Sequence, residues 1–214
     1  MPHLAEQDDR RALAAPAQRA RLLPAPIAPP PARVLVITGP SGVGKGTVIR
    51  ALRERTGGLE VAVSATTRAP RPGEENGRDY HFLSSDEFER RLAAGQFLEH
   101  ATYAGNRYGT LRSELERPAR ILVLEIEIQG ARQVREVLPE AMRVFVAPPS
   151  IDALRERLAG RGSDSPGQVE SRLAAAADEI RAQSEFEHVV VNDRLEAAVD
   201  ELEGLVATMR DTES

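Results

Sequence analysis

The stretch from residue 34 to residue 47, VLVITGPSGVGKGT, limits what this chain can fold into more than any other. Val34 to Ile37 is a short apolar run rich in β-branched residues, which predicts a strand buried on both faces. A glycine-rich loop follows, and apolar residues then recur at helical spacing until Thr56-Gly57-Gly58. A strand, a glycine loop and a helix in this order predict a phosphate-binding loop in an α/β domain.

The chemistry of this loop is local. Glycines let backbone N–H groups turn inward without a Cβ clash, and the start of a helix adds partial positive charge. Lys45 supplies a full positive charge for the outer phosphates. A glycine-rich turn with a surface lysine is the alternative, which the flanking strand and helix disfavour. The predicted phosphate-loop residues are Gly39, Pro40, Ser41, Gly42, Val43, Gly44, Lys45, Gly46 and Thr47.

Composition removes several classes of function. The 214 residues suffice for one mid-sized domain, and the lack of cysteine excludes disulfides, thiolate catalysis and cysteine-bound metals. A net charge of −5 gives no case for binding nucleic acid or a membrane surface. No apolar run approaches the ~20 residues that span a bilayer, and the N-terminus lacks a signal-peptide pattern. We therefore expect a cytoplasmic protein.

The first 32 residues differ from the rest. They are dominated by alanine and proline, end in Pro29-Pro30-Pro31 and show no sustained apolar periodicity. This composition predicts a disordered or polyproline extension over residues 1–32. A solvated tail is favoured, and a docking or regulatory segment is the alternative.

The chain after the first helix predicts an insert in a parallel domain. Val61–Val63 predicts a second buried strand, and Asn76-Gly77 predicts a hairpin whose returning strand is Asp79–Leu83. A second hairpin is predicted where Phe97–Tyr103 is followed by Ala104-Gly105-Asn106. The predicted insert is small and mainly antiparallel.

Strands and helices alternate again from residue 121. Strands are predicted at 121–128, 142–147 and 188–191, and helices at 129–138, 150–158, 166–184 and 195–209. Repeated strand–helix units predict a parallel sheet with right-handed crossovers. The fold class is therefore α/β, a phosphate-loop core with helices on both faces of the sheet.

Arg68, Arg71 and Arg78 fall in one predicted loop, with Tyr80 near its end. Guanidinium groups suit phosphate oxygens, and a tyrosine hydroxyl adds a donor. Alone, such a loop is more often a solvated basic surface. Next to a phosphate loop it indicates a second phosphate site, as in a kinase with a phosphorylated acceptor.

Seven stretches between residues 34 and 195 make the chain resemble guanylate kinases: GPSGVGKGT, SATTRAPRPGEENGRDYHF, FLEHATYAGNRYGT, LEIEIQGA, VFVAPPS, RLAGRG and VVVND. The resemblance implies phosphoryl transfer from ATP to GMP and dGMP with Mg²⁺, in purine nucleotide metabolism. Gly46 stands where the strict phosphate-loop motif has Ser or Thr, so Thr47 is the tentative Mg²⁺ ligand. The implied organisation is an extension at 1–32, core at 33–63, 113–156 and 173–214, a GMP-binding insert at 64–112 and a lid at 157–172.

The resemblance also assigns the acceptor site. It implies GMP contacts at Ser64, Arg68, Arg71, Tyr80, Tyr108, Glu99, Thr110, Glu125 and Glu127. Guanine presents two donors, N1–H and the 2-amino group, along one edge, and a carboxylate can accept from both. On the residues alone, Glu99 is a polar position in an alternating strand, and Glu127 is one methylene longer than the family's usual Asp.

Positive charge is assigned in the same way. The implied catalytic residues are Lys45, Arg68, Arg157, Arg161 and Arg172, and Asn192 would approach the adenine of ATP. Phosphoryl transfer needs charge on the migrating group more than it needs a strong base. Closure of the lid would exclude water. Ordinary helix arginines are the alternative.

Two other functions remain open from the sequence. A guanylate-kinase-like module can bind phosphopeptides without catalysis, but the intact phosphate loop disfavours that reading. A kinase for another phosphorylated acceptor is disfavoured by Glu99 with Thr110. We expect nucleotides as the only partners of a monomer or small homo-oligomer.

Overall fold

The computed structural model describes residues 33–160 and 166–211, so the predicted extension at 1–32 and the lid residue Arg161 lie outside the described residues. The strands are β1 Arg33–Thr38, β2 Leu59–Val61, β3 Ser64–Thr66, β4 His81–Phe82, β5 Phe97–Tyr103, β6 Asn106–Leu111, β7 Ile121–Glu125, β8 Met142–Ala147 and β9 His188–Val191. The α-helices are α1 Lys45–Arg55, α2 Ser85–Ala93, α3 Ile128–Val137, α4 Ile151–Ala159, α5 Pro166–Arg181 and α6 Leu195–Asp211. Short 3₁₀ helices cover Arg112–Glu116 and Ala182–Glu185. None of the helices in the described ranges has the length and hydropathy needed to cross a membrane.

A five-stranded parallel sheet forms the core, in the order β2-β7-β1-β8-β9. Side chains of β1 alternate between its faces. Leu35 and Ile37 pack with residues of α1 and α6, and Val34 and Val36 pack with residues of α3. The predicted parallel α/β core with helices on both faces is confirmed. Because parallel strands end at one edge, this edge collects the loops that follow them.

A second sheet of four strands, in the order β4-β3-β6-β5, is built from residues 64–111. The pairs β3–β6 and β5–β6 are antiparallel, and β3–β4 is parallel. The β5–β6 hairpin is as predicted, with positive φ at Ala104 and Gly105 in its turn. The mainly antiparallel character of this segment is confirmed.

The hairpin predicted at Asn76-Gly77 is wrong. β4 runs parallel to β3, so the chain between them must cross back rather than reverse. Gly77 donates its N–H to the carbonyl of Tyr80, and the Asn76 side chain accepts from the N–H of Phe82. The Asn-Gly pair therefore makes a local turn within a longer connection.

Two strand boundaries also differ from prediction. The second strand is Leu59–Val61 rather than 61–63, and the N–H of Val63 instead donates to the Glu114 carboxylate. The strand predicted to reach residue 128 ends at Glu125. Glu127 is the N-cap of α3, and Ile128 packs with Phe145 on a helix face. The apolar alternation here crosses from strand to helix, which a period-two pattern does not reveal.

Candidate active site

One cleft, with a volume of about 1330 Å³, is lined by residues of both sheets. Predicted site residues on its wall are Pro40, Ser41, Gly42, Gly44, Lys45, Gly46, Thr47, Ser64, Arg71, Tyr80, Glu99, Tyr108, Glu125, Glu127 and Arg172. Described residues that were predicted for the site and do not line the cleft are Gly39, Val43, Arg68, Thr110, Arg157 and Asn192, each of which has a defined place beside it. The fold thus brings most of the predicted residues to one cavity.

The phosphate loop joins β1 to α1 at the carboxyl edge of the parallel sheet. Gly39 has φ 146°, and a Cβ there would lie 2.2 Å from the carbonyl oxygen of Val146, so no other residue fits without a backbone shift. Lys45 folds back over the loop and donates from Nζ to the carbonyl of Gly39 at 2.6 Å. Contacts within the chain therefore set the shape of the loop and the position of its lysine.

Arg157 and Asn192 support the loop from behind. Asn192 is buried and donates from Nδ2 to the carbonyl of Val43 at 2.8 Å. Arg157 donates from Nη1 to the same carbonyl at 3.3 Å and from Nη2 to the carbonyl of Asn192 at 2.8 Å. In this structure both side chains hold the loop's shape rather than face the cleft.

Arg172 is the predicted lid arginine on the cleft wall within the described residues. It lies on α5 and donates from Nη2 to the Ser41 hydroxyl at 2.6 Å. A guanidinium at this place adds positive charge directly beside the phosphate loop. The catalytic role predicted for Arg172 stays a prediction.

Glu99 is a buried carboxylate on the opposite wall. It lies on β5, directly across from Thr110 on β6, and its side chain is only 3% exposed. The Thr110 hydroxyl donates to Oε1 at 2.8 Å. Loss of water on burial raises the pKa of Glu99 to about 7, against the smaller opposing effect of the Thr110 bond. The carboxylate is thus an acceptor poised between its neutral and charged forms.

Above pH 7, we expect the free energy of unfolding of the ligand-free Glu99→Gln variant to be larger than that of wild type. The folded pKa of about 7 lies above the ordinary value of 4.5, so wild-type stability is fullest below pH 4.5 and falls as pH rises through 7. Glutamine avoids this loss, worth roughly 1–3 kcal/mol. Urea titrations from pH 4.5 to pH 8 measure it, with the exposed Glu201→Gln as control. Equal stability of Glu99→Gln and wild type at pH 8 would contradict the burial argument.

The acceptor-phosphate residues surround a salt bridge. Arg68 binds both carboxylate oxygens of Glu74, at 2.9 Å and 2.8 Å, and its guanidinium lies 5.2 Å from the ring centre of Tyr80. Glu74 raises the pKa of Arg68, and Arg68 lowers the pKa of Glu74. Arg71, Tyr80 and Tyr108 line the cleft directly. Sequence reasoning missed Glu74, which holds Arg68 off the cleft in this structure.

Glu125 stands at the end of β7, beside the first turn of α1. A Cβ at Gly46 would lie 3.7 Å from its Oε2, an ordinary contact, and the carboxylate lines the cleft. The cleft walls displace much of its water and raise its pKa, while Lys45 opposes this and Glu127 adds to it. Glu125, Glu127 and Thr47 together give this part of the cleft hard oxygen donors.

Glu179 is a further residue at the phosphate loop that sequence reasoning missed. It is half-buried on α5. Loss of water, and then the nearby charge of Glu127, raise its pKa to about 7, against the smaller lowering effect of the nearby backbone N–H of Ser41. A partly neutral Glu179 repels an incoming phosphate less than a fully charged one would. The available signal was its spacing of seven residues from Arg172, which places both on one helix face.

Charge arranged in this way defines a class of protein. The cleft has a phosphate loop with its lysine on one wall, and arginines, tyrosines and the buried Glu99 carboxylate face that loop. This combination is typical of a P-loop nucleotide kinase. The family model of guanylate kinase matches residues 31–209. The chain belongs to the guanylate kinase family.

Relatives and solved structures agree with that assignment. The chain is 53% identical over 184 residues to a guanylate kinase of Gloeobacter violaceus, covering 85% of this chain and 90% of the relative. It is 49% identical over 178 residues to one of Trichormus variabilis, covering 82% and 89%. The crystal structure of guanylate kinase from Anaplasma phagocytophilum superimposes with a TM-score of 0.68 at 33% identity, covering 83% of this chain and 86% of that one.

Proposed function

We propose that the two walls of the cleft bind the two substrates of the reaction this kinase catalyses, the transfer of the γ-phosphoryl group of ATP to GMP and dGMP. This proposal is based on one observation: the phosphate loop and the buried Glu99 line the same cleft. The loop wall takes ATP, and the wall of the second sheet takes the monophosphate. The membership of the guanylate kinase family supports this division.

Charge stabilisation accounts for the phosphoryl transfer step. Loop N–H groups and Lys45 hold the outer phosphates of ATP, and Arg172 adds charge where the migrating group is most loosely bound. Arg68 and Arg157 reach phosphate only by giving up the partners they hold here. These are the Glu74 carboxylate for Arg68 and the carbonyls of Val43, Asn192 and Asp193 for Arg157. Arg161 completes the proposed catalytic set, and Asn192 remains proposed as the residue nearest adenine.

Base recognition is proposed to rest on Glu99 and Thr110. The ionised Glu99 accepts from guanine N1–H and the 2-amino group, and Thr110 keeps one carboxylate oxygen in place. Adenine offers an acceptor at N1, which would face the carboxylate with no hydrogen between them. Ser64, Arg71, Tyr80 and Tyr108 are proposed to hold the GMP phosphate. Glu125 and Glu127, which line the same cleft, are proposed as further GMP contacts.

Mg²⁺ is proposed as the cofactor. Mg²⁺ prefers hard oxygen ligands and is usually held by one or two protein oxygens together with phosphates and water. Thr47, with Glu125 close by, fits that chemistry. No cluster of three or more acidic or histidine ligands occurs in residues 33–160 and 166–211, which fits an ion carried largely by the nucleotide. Bound Mg²⁺ would neutralise charge on the outer phosphates.

The net charge of −5 supports a protein that binds small nucleotides rather than nucleic acid. We propose that it works in the cytoplasm, away from membranes, as a monomer or small homo-oligomer.

A coupled assay of ADP release tests the proposed function. We expect ADP to form only when ATP, GMP and Mg²⁺ are all present, and chelation of Mg²⁺ to stop the reaction. Chromatography should show GDP and ADP in equal amounts. A non-catalytic module would bind a phosphopeptide and release no ADP above the blank, and that result would overturn the proposal.

A further inference from the structure

Helix α3 of the core packs along strand β5 of the second sheet, next to Glu99. The Gln133 side chain makes two hydrogen bonds with the backbone of His100, the residue after Glu99. Its Nε2 donates to the His100 carbonyl at 2.6 Å, and its Oε1 accepts from the His100 N–H at 3.1 Å. These bonds fix the distance between the α3 backbone and β5.

Gly130 lies one turn earlier on the same helix, against the Glu99 side chain. A Cβ at position 130 would lie 2.1 Å from Oε2 of Glu99, 2.9 Å from its Cδ and 3.3 Å from its Cγ. These are the three nearest atoms, and all belong to one side chain. Gly130 has no positive φ, so its backbone conformation does not require glycine. Space for the Glu99 carboxylate is what requires it.

We propose that Gly130 is a specificity-determining residue, which positions the Glu99 carboxylate by leaving it room against α3. The inference rests on the proposed function, in which Glu99 reads guanine. Thr110 holds Oε1 from the β6 side, and the gap at Gly130 receives Oε2 from the α3 side. Two contacts from opposite sides set where the two acceptor oxygens lie and so which base edge they match.

A second glycine beside Glu99 shows why the effect at Gly130 is specific. A Cβ at Gly109 would lie 2.6 Å from the Glu99 backbone carbonyl and 2.8 Å from the Phe97 ring. Substitution there strains the β5–β6 pairing and the packed Phe97. At Gly130 the three nearest atoms all belong to the Glu99 side chain, so we expect the carboxylate to shift while the sheet remains.

The test compares Gly130→Ala with wild type and with Gly204→Ala. Gly204 lies exposed on α6 with nothing within 4 Å of its Cβ position, so that variant should keep wild-type kinetics. We expect Gly130→Ala to raise KM for GMP roughly 10–100-fold, since a misplacement of about 1 Å in a site can have such an effect. The KM for ATP should stay within about twofold of wild type, and preference for GMP over AMP should fall.

A double-mutant cycle separates positioning from a general defect. Aspartate at position 99 is one methylene shorter, so its carboxylate should press less on a Cβ at position 130 than the Glu99 Oε2 does at 2.1 Å. The penalty of Gly130→Ala on GMP should therefore be smaller in the Glu99→Asp background than in wild type. Wild-type GMP kinetics in Gly130→Ala would overturn the proposal, and so would an equal loss with every substrate accompanied by a lower melting temperature.

If Gly130→Ala does not fold, the double variant with Glu99→Ala still tests the inference. If Glu99 is the only obstacle, Gly130→Ala must fold in the Glu99→Ala background with the melting temperature of Glu99→Ala alone or higher, because alanine favours helix more than glycine. If the double variant also fails to fold, the inference is overturned. A wild-type protein that does not phosphorylate GMP would instead defeat the proposed function.

Discussion

Replacing Lys45 with alanine should leave the protein folded and lower kcat with GMP by roughly 10²-fold or more. Lys45 is the only lysine in the sequence, and its ammonium group sits over the phosphate loop at 2.6 Å from the Gly39 carbonyl. In the proposed mechanism its charge stabilises the outer phosphates as they separate, and no other lysine can replace it. Steady-state ADP release and a melting curve measure the two halves of this prediction.

The control for Lys45→Ala is removal of a cation that does not line the cleft. Arg135→Ala removes an exposed guanidinium on α3 and should leave kcat unchanged. The single lysine also permits a direct footprint, because an amine reagent can modify only Lys45 and the α-amino group. ATP should protect Lys45. Turnover near wild type in Lys45→Ala would contradict the role given to the loop.

Replacing Glu99 with glutamine should lower kcat/KM for GMP by roughly 10²-fold or more. Glutamine keeps one acceptor and turns the other into a donor that faces a guanine donor. Charge-assisted bonds of this kind are worth about 1.5–3 kcal/mol each. The KM for ATP should change little, and discrimination against AMP should shrink. Kinetics with both monophosphates measure this.

The same substitution separates function from structure because its two effects have opposite signs. Burial in the absence of a bound nucleobase raises the pKa of Glu99. The ligand-free glutamine variant should therefore be more stable than wild type at pH 8, although it binds GMP more weakly. Glu114 is a matched control, a buried carboxylate that accepts from Val63 N–H and lies off the cleft wall. Glu114→Gln should lower the melting temperature and keep the GMP-to-AMP ratio. A loss of stability in Glu99→Gln with proportional loss of all activities would make Glu99 structural.

The core and the phosphate loop could be predicted from the sequence because their signals are local. β-branched residues, glycines and a helical repeat follow one another between Val34 and Arg55, and each part favours the same structure. The β5–β6 hairpin was predictable for the same reason, since Ala104-Gly105-Asn106 is a turn between two strands.

The path from β3 to β4 could not be predicted in this way. Asn76-Gly77 indicates a tight turn, and a tight turn forms, but the partner of β4 is decided by residues far along the chain. The hold of Glu74 on Arg68 depends on the same connection, because the salt bridge forms only once residues 68–74 fold back on themselves.

Other parts of the site depend on contacts between distant segments. Asn192 meets Val43 across 149 positions, and Gly130 on helix α3 of the core meets Glu99 on strand β5 of the second sheet. A glycine in the first turn of a helix carries no signal of its own about a carboxylate on a strand. Spacing along α5 indicated Glu179, but its place near Ser41 depends on the fold that sets α5 beside the loop.

We propose that the cleft recognises the guanine base of GMP and that the enzyme phosphorylates this nucleotide in preference to other monophosphates. The most direct measurement is kcat/KM for GMP, AMP, UMP and CMP in one ADP-release assay with ATP and Mg²⁺. A buried carboxylate left unpaired by the wrong base can discriminate by roughly 10⁴–10⁵-fold. We therefore expect GMP to exceed AMP by about that factor, with UMP and CMP near background. Comparable rates with AMP, or no ADP with any of the four, would contradict the claim.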